Sequence, residues 1–227
     1  MSELVREIAA VGDHPPREAP YRLCRLLEHS LPVDAVTMSL LTDTPARQML
    51  GASNKMATAV EEIQFTVLEG PCIAAAASGE PVHLTDWTTG SQQWPLFVST
   101  LRERWPDIAA IHAFPMWFGD YCLGSVDFIS RVPGGMPTEA VEQAAEAVDA
   151  LGEALLPAQG LLAGHDEEPL WEPADLVRAH WSDTHKAVGI VMLKTGVSAE
   201  AALAMMRAQA FATGRTLAEI TVDILAS

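Results

Sequence analysis

Apolar positions along this chain change their period, and the changes mark its elements. From Tyr21 to Leu31 the apolar residues Leu23, Leu26, Leu27 and Leu31 recur at helical spacing. Val36 to Leu41 reads as a strand, followed by a turn at Thr42-Asp43-Thr44-Pro45 and a second strand over Arg47 to Ala52. Pro81 to Leu84 is a short strand, and Ile108 to Pro115 and Tyr121 to Arg131 flank a hairpin turn at Gly119-Asp120. Strands in pairs with helices between them predict an antiparallel α+β sheet with flanking helices rather than a doubly wound parallel one. Met136 to Leu156 is helical, with Val141, Ala144, Val148, Leu151 and Leu155 at alternating steps of three and four. That stripe suits a short coiled coil or a helix packed on its own sheet. Periodicity then stops: Ala158 to Pro173 carries glycines, prolines and the polar run His165-Asp166-Glu167-Glu168, and reads as a linker.

The last fifty residues return to a helical pattern, in three helices with two sharp turns. The first is expected from about Ala174, with Pro173 at its start, to Thr195. Its segment Ala187 to Leu193 is apolar on every side, which predicts contact with both its own bundle and a second copy of the chain. Gly196 follows it, where a left-handed residue costs least as glycine. Ser198 caps the second helix, with Ala199, Ala202, Leu203, Met206, Ala210 and Phe211 on one face. Gly214 ends that helix. Thr216-Leu217-Ala218-Glu219 is a capping box, and Leu217, Ile220 and Ile224 form the third helix's stripe. A unit this small has no room for an ordinary substrate pocket, which points to a macromolecular partner.

Length and charge refine this picture. At 227 residues the chain fits two modest domains, and a hydrophobic content of 49% is ample for cores. The division expected is an N-terminal extension over residues 1–20, a body over 21–156, a linker over 157–173 and the helical tail over 174–227. Gly12 to Pro16 separates a short N-terminal helix from the body. No apolar run reaches membrane-spanning length and no signal peptide is read, so a cytoplasmic protein without membrane contact is expected. Cys24, Cys72 and Cys122 show neither disulfide nor metal spacing. The net charge is −16, yet residues 178–227 hold five basic and four acidic side chains, so the acidity belongs to the body. Such a body stays soluble, and it also repels phosphates over about 8 Å at physiological salt.

The tail residues resemble a known family. Ala187-Val188-Gly189-Ile190-Val191-Met192, the Gly196-Val197-Ser198-Ala199-Glu200-Ala201 turn, Leu203, Met206-Arg207, Ala210-Phe211 and Leu217-Ala218-Glu219-Ile220 are similar, in order and spacing, to the ANTAR domain, the three-helix RNA-binding module of bacterial antitermination regulators. Val188 stands where many members carry lysine, and Lys186 lies two positions earlier, roughly 200° around the helix. The resemblance implies binding to leader RNA hairpins by a homodimer. Lys186, Lys194, Arg207 and Arg215 are the basic residues placed to hold phosphates or stack on unpaired bases.

The body resembles a second family. Gln64-Phe65, Glu69-Gly70-Pro71-Cys72, Gly79-Glu80-Pro81-Val82, Asp86, Trp94-Pro95, Ala113-Phe114-Pro115-Met116 and Gly124-Ser125-Val126-Asp127 follow the order of GAF domains, nearest to the actinobacterial type joined to ANTAR. The fold implied is a GAF/PAS-like sheet followed by an ANTAR bundle. The resemblance implies a sensor that holds a small ligand of unknown identity, with Phe65, Cys72, Trp87, Trp94, Phe97, Phe114 and Met116 as lining residues or as plain core. Cys72, after a Gly-Pro turn, could serve a redox role or be a buried inert thiol. His83 and His112 each stand alone, so no metal is expected. Asp86 and Asp127 read as capping and turn residues, no catalytic motif is present, and no enzyme is expected. The other readings left open are a ligand- or redox-sensing regulator whose tail serves dimerisation, and one whose tail contacts protein or DNA.

Overall fold

Strand β1 (Ala35–Leu41) is buried on both faces for six of its seven residues, and such a strand must lie inside a sheet covered from both sides. In the computed structural model, which describes residues 2–11, 18–41, 47–155 and 182–227, it does. β1 pairs with β2 (Arg47–Ala52) on one edge and with β5 (Tyr121–Ser130) on the other; β4 (Ala110–Phe118) and β3 (Val82–Leu84) complete the order β2-β1-β5-β4-β3, antiparallel throughout. The β4–β5 hairpin turns at Gly119, whose φ of 56° is the positive value anticipated there.

Alternation along the strands divides the core in two. Val36, Met38 and Leu40 of β1 face a layer made of α1 (Glu3–Val11), α2 (Ala19–Ser30) and α7 (Thr138–Ala154). Ala144, Val148, Leu151 and Leu155 are buried in this layer, so the stripe at steps of three and four packs on its own sheet. The opposite face carries α3 (Lys55–Val67), α4 (Pro71–Ser78), α5 (Trp87–Gln93) and α6 (Pro95–Arg104), and its apolar core joins Ile63 and Val60 of α3 to Phe97 and Leu101 of α6 and Ile111 and Ile129 of the sheet. The two-faced sheet is thus the α+β arrangement expected, though the four helices on its second face lacked a clean sequence stripe.

The tail is a separate bundle of α8 (Ser182–Thr195), α9 (Ala199–Ala212) and α10 (Leu217–Leu225). Gly196 (φ 74°) and Gly214 (φ 63°) make the turns. Ser198 caps α9 by accepting from the Ala201 amide, and the Thr216–Glu219 capping box opens α10. The bundle core is Ala187, Val188, Ala202, Leu203, Met206, Ala210 and Ile220. Ala199 and Phe211, expected on the buried face of α9, lie outside it; Phe211 is turned toward the body. Leu193, at the end of the all-apolar segment, is 89% exposed. Among the described residues, no single helix is long and apolar enough to cross a membrane. The Thr42–Pro45 turn, the Gly12–Pro16 break, the 157–173 linker and the expected first turns of the tail helix over 174–181 lie outside the described residues.

Candidate functional site

On the second face of the sheet the chain buries a polar cluster where alternation would admit apolar residues. Thr37 and Ser39 project from β1 opposite Asp127 and Ser125 of β5, their register partners. Residues directly opposite on antiparallel strands share a face, so these four side chains stand together. Above them α3 supplies Glu61 and Gln64, one turn apart, and the first turn of α4 supplies Cys72. Gln64 organises the group: its Nε2 donates to Asp127 Oδ2 at 2.8 Å and to Glu61 Oε2 at 3.2 Å, while its Oε1 accepts from the Cys72 amide at 2.9 Å. The Cys72 thiol donates to Glu61 Oε1 at 3.5 Å, and Ser125 Oγ donates to Asp127 Oδ1 at 2.8 Å. Gly70, at φ 135°, lets the backbone pass over Gln64; a Cβ there would sit 2.4 Å from Gln64 Oε1.

All of these groups are out of water, with Glu61 and Gln64 fully buried and Cys72 and Asp127 1% exposed. Burial pushes the Glu61 carboxyl far above its ordinary range, and the nearby Asp127 charge adds to the shift. Burial also raises Asp127, against the hydrogen bonds from Gln64 and Ser125. None of the ion pairs among the described residues involves either carboxyl. Asp127 is therefore not a turn residue, as its sequence context suggested, but half of a buried carboxyl pair. Asp86 does cap a helix: its side chain accepts from the Thr88 and Thr89 amides, and hydrogen bonds led by the Thr89 hydroxyl hold it below its usual range.

The seven lining residues named from sequence do not share one space. Cys72 belongs to the polar cluster. Phe97, Trp87 and Trp94 belong to the apolar core beside it, whereas Phe114 and Met116 face the opposite layer with Leu23 and Phe128. Phe65 sits on the side of α3 that meets the tail. The histidines are not isolated, because β3 and β4 register His83 against His112. His112 Nε2 accepts from the Met136 amide at 3.2 Å, which leaves its proton on Nδ1, 2.9 Å from His83 Nδ1. Burial, with a smaller contribution from His83, lowers His112 to about 4, so it is neutral near pH 7.

The basic residues of the tail separate by position. Lys186 and Lys194 are exposed; the first pairs with Asp183 at 3.1 Å and the second donates to Ser227 Oγ at 3.0 Å. Arg207 and Arg215 stand at the junction with the body. Arg207 Nε donates to the Phe65 carbonyl of α3 at 3.1 Å. Arg215 bonds Asp223 at 2.5 Å and the Glu219 carbonyl at 3.0 Å, and lines a cavity of about 240 Å³ between α3, α6 and the tail, with Phe211 and Glu103 also on its wall. Two further bonds clamp the junction: the Leu217 amide donates to Thr66 Oγ1 at 3.1 Å, and Arg104 donates to the Gly214 carbonyl.

Residues 183–225 match the ANTAR domain family. The body is similar to solved GAF structures. The GAF domain of an Acinetobacter phosphoenolpyruvate-protein phosphotransferase aligns over 74% of this chain and 100% of its own, with a TM-score of 0.54 and 12% identity. That of the Coxiella burnetii phosphoenolpyruvate-protein phosphotransferase aligns over 70% and 94%, with a TM-score of 0.53 and 16% identity. Free methionine-R-sulfoxide reductase from Neisseria meningitidis, solved with its substrate, aligns over 70% and 89%, at 0.53 and 13%. At such identity the likeness speaks for the fold alone. No curated protein matches the chain in sequence. The chain therefore carries a GAF-fold body followed by an ANTAR domain.

Proposed function

We propose that this chain is a signal-responsive transcription antitermination regulator of the cytoplasm, in which the GAF-fold body over residues 21–156 governs RNA binding by the ANTAR tail over residues 174–227. The observation that carries the reading is the hold of the body on Arg207, whose guanidinium bonds the Phe65 carbonyl. A guanidinium occupied by a backbone carbonyl has fewer donors to offer a phosphate or a base. Helix α3 is the shared wall: Gln64 and Glu61 face the buried polar cluster while Phe65 and Thr66 bond the tail. A small ligand that shifts α3 therefore changes the contacts of both sides at once.

In this mechanism the released tail grips leader RNA hairpins through Arg207 and Arg215, with Lys186 and Lys194 adding phosphate contacts. Two copies act together, joined along the apolar outer side of α8 where Leu193 is exposed. Held RNA keeps an antiterminator folded. The test is a crosslinked RNA pull-down from the native host with the full chain and with a Thr66→Val, Arg104→Ala variant that loosens the junction. The variant is expected to recover the same leader hairpins several-fold more strongly. Equal recovery by both chains removes the gating role, and recovery no better than bulk RNA removes RNA binding in favour of a tail that serves protein contact.

A further inference from the structure

The buried cluster of the body is built from donors whose charge and spacing suit a metal ion. From Glu61, Cys72 and Asp127, one carboxylate oxygen, the thiol sulfur and a second carboxylate oxygen all lie within 4.8 Å of one another. The Cys72 Sγ–Glu61 Oε1 separation is 3.5 Å. Zinc bonds of about 2.3 Å to sulfur and about 2.0–2.2 Å to oxygen imply a tetrahedral sulfur–oxygen edge of about 3.5 Å. The remaining separations close with side-chain shifts of about 1 Å, well within rotation of a carboxyl group. The three donors come from α3, α4 and β5, elements fixed by the two-layer packing, so their convergence does not depend on a loop.

A second observation points into the same space. Thr37 Oγ1 is 1% exposed and has no hydrogen-bond partner, although Thr37 is the direct register neighbour of Asp127 on the same face of the sheet. A buried hydroxyl without a partner is destabilising. Ser39, two residues on, faces Glu61 without meeting the geometry of a full hydrogen bond. The second oxygen of each carboxyl accepts from a neighbour, Glu61 Oε1 from the Cys72 thiol and Asp127 Oδ1 from the Ser125 hydroxyl, while Gln64 holds both carboxyls through its amide. Such an outer partner is what orients metal-binding carboxylates.

We propose that Glu61, Cys72 and Asp127 bind one divalent transition-metal ion of the zinc type, with the fourth position directed at the Thr37 and Ser39 hydroxyls. One thiolate with two carboxylates is a donor set for zinc or cobalt rather than for calcium or magnesium, which take oxygen alone. Binding displaces a proton from each ligand that carries one and leaves the ion enclosed under α3 and α4, as a structural metal is. Gln64 is a positioning residue in this site. The assignment is independent of RNA binding: it concerns the body alone and stands or falls whatever the tail grips.

The test uses the full chain, without a histidine tag, purified in reducing buffer and stripped with chelator. Added Co²⁺ should bind at one equivalent and produce a thiolate-to-cobalt charge-transfer band, and Zn²⁺ should displace it and raise the melting temperature. Cys72→Ser should lose the band, the Cys24→Ser, Cys122→Ser double variant should keep it, and Asp127→Asn should weaken Co²⁺ binding by more than about tenfold. Should Cys72→Ser fail to fold, zinc X-ray absorption of the unaltered chain must still report one sulfur among oxygen ligands. A stripped chain that takes up neither ion, or Co²⁺ binding that survives in a folded Cys72→Ser variant, overturns the site; the second result would move the ion elsewhere, for example to the His83–His112 pair.

Discussion

At the scale of single residues the body depends on close approaches that tolerate no added atom and on neutral groups that tolerate no added charge. Gly124 of β5 lies against β1, where a Cβ would come within 1.8 Å of the Ser39 carbonyl oxygen. Backbone cannot retreat as a side-chain tip can, so Gly124→Ala must push the central strands β1 and β5 away from each other. It is expected to cost about 3 kcal/mol in urea denaturation. A loss under roughly 0.5 kcal/mol would mean the strands are not that close. His112 presents the second case. Its folded value of about 4 lies below the ordinary 6.5, so the folded state resists the proton. Its contribution to stability is complete above about pH 6.5 and is lost as pH falls toward 4. Protonation would also place a hydrogen on Nε2, the atom that accepts from Met136. Relative to His112→Gln, the parent chain should lose roughly 3 kcal/mol over that window, read from unfolding midpoints at each pH. Both chains share their other titrating groups, so parallel curves would show that His112 is not the proton acceptor.

At the scale of elements, what could be read from sequence was local chemistry, and what could not was assembly across the fold. The Thr216–Glu219 capping box, the Ser198 cap and the positive-φ glycines 196 and 214 need only neighbours within a few residues, and each forms as expected. Thr216→Ala removes an acceptor for the Glu219 amide and should cost about 1 kcal/mol, with faster amide exchange confined to the first turn of α10. Uniform loss of protection through the whole tail would contradict a local cap. Helix α3 was hidden because Glu61 and Gln64, polar residues that composition assigns to the surface, occupy its buried face. A charged residue four positions after Ala57, in helical step with it, was the one signal available. Asp127 misled for a related reason: its partners Gln64 and Thr37 are 63 and 90 positions away, and only strand register brings them together. The lining residues failed as a set because aromatic character says nothing of which sheet face a residue takes. Phe114 and Phe97 look alike in sequence and lie in different cores.

At the scale of the whole molecule, charge is segregated, and body and tail touch through a few directed bonds. Residues 178–227 carry five basic against four acidic side chains in a chain of net charge −16. A docked tail therefore sits beside a strongly acidic body, whose field opposes a phosphate backbone until the two separate by about a Debye length. Salt acts on both sides of this balance: it screens the repulsion by the body and competes with the contacts made by the arginines. The competition is the steeper effect, since each phosphate contact in a single strand contributes about 0.7 to the slope of log affinity against log salt. Under the proposed function, Arg207→Ala with Arg215→Ala should weaken hairpin binding at low salt and reduce that slope by about 1.4. The Arg215 substitution also frees Asp223, which the guanidinium holds below its ordinary pKa, so some of its effect on affinity is the exposure of a new negative charge. Arg207→Ala alone tests the junction and the RNA surface at once, because the same guanidinium bonds the Phe65 carbonyl in the docked tail. Its loss removes an RNA contact and a tie to α3 together, so affinity should fall while the gain from loosening the junction shrinks. Binding that is unchanged by Arg207→Ala at low salt would take this arginine out of the RNA surface and leave it a purely structural link between tail and body.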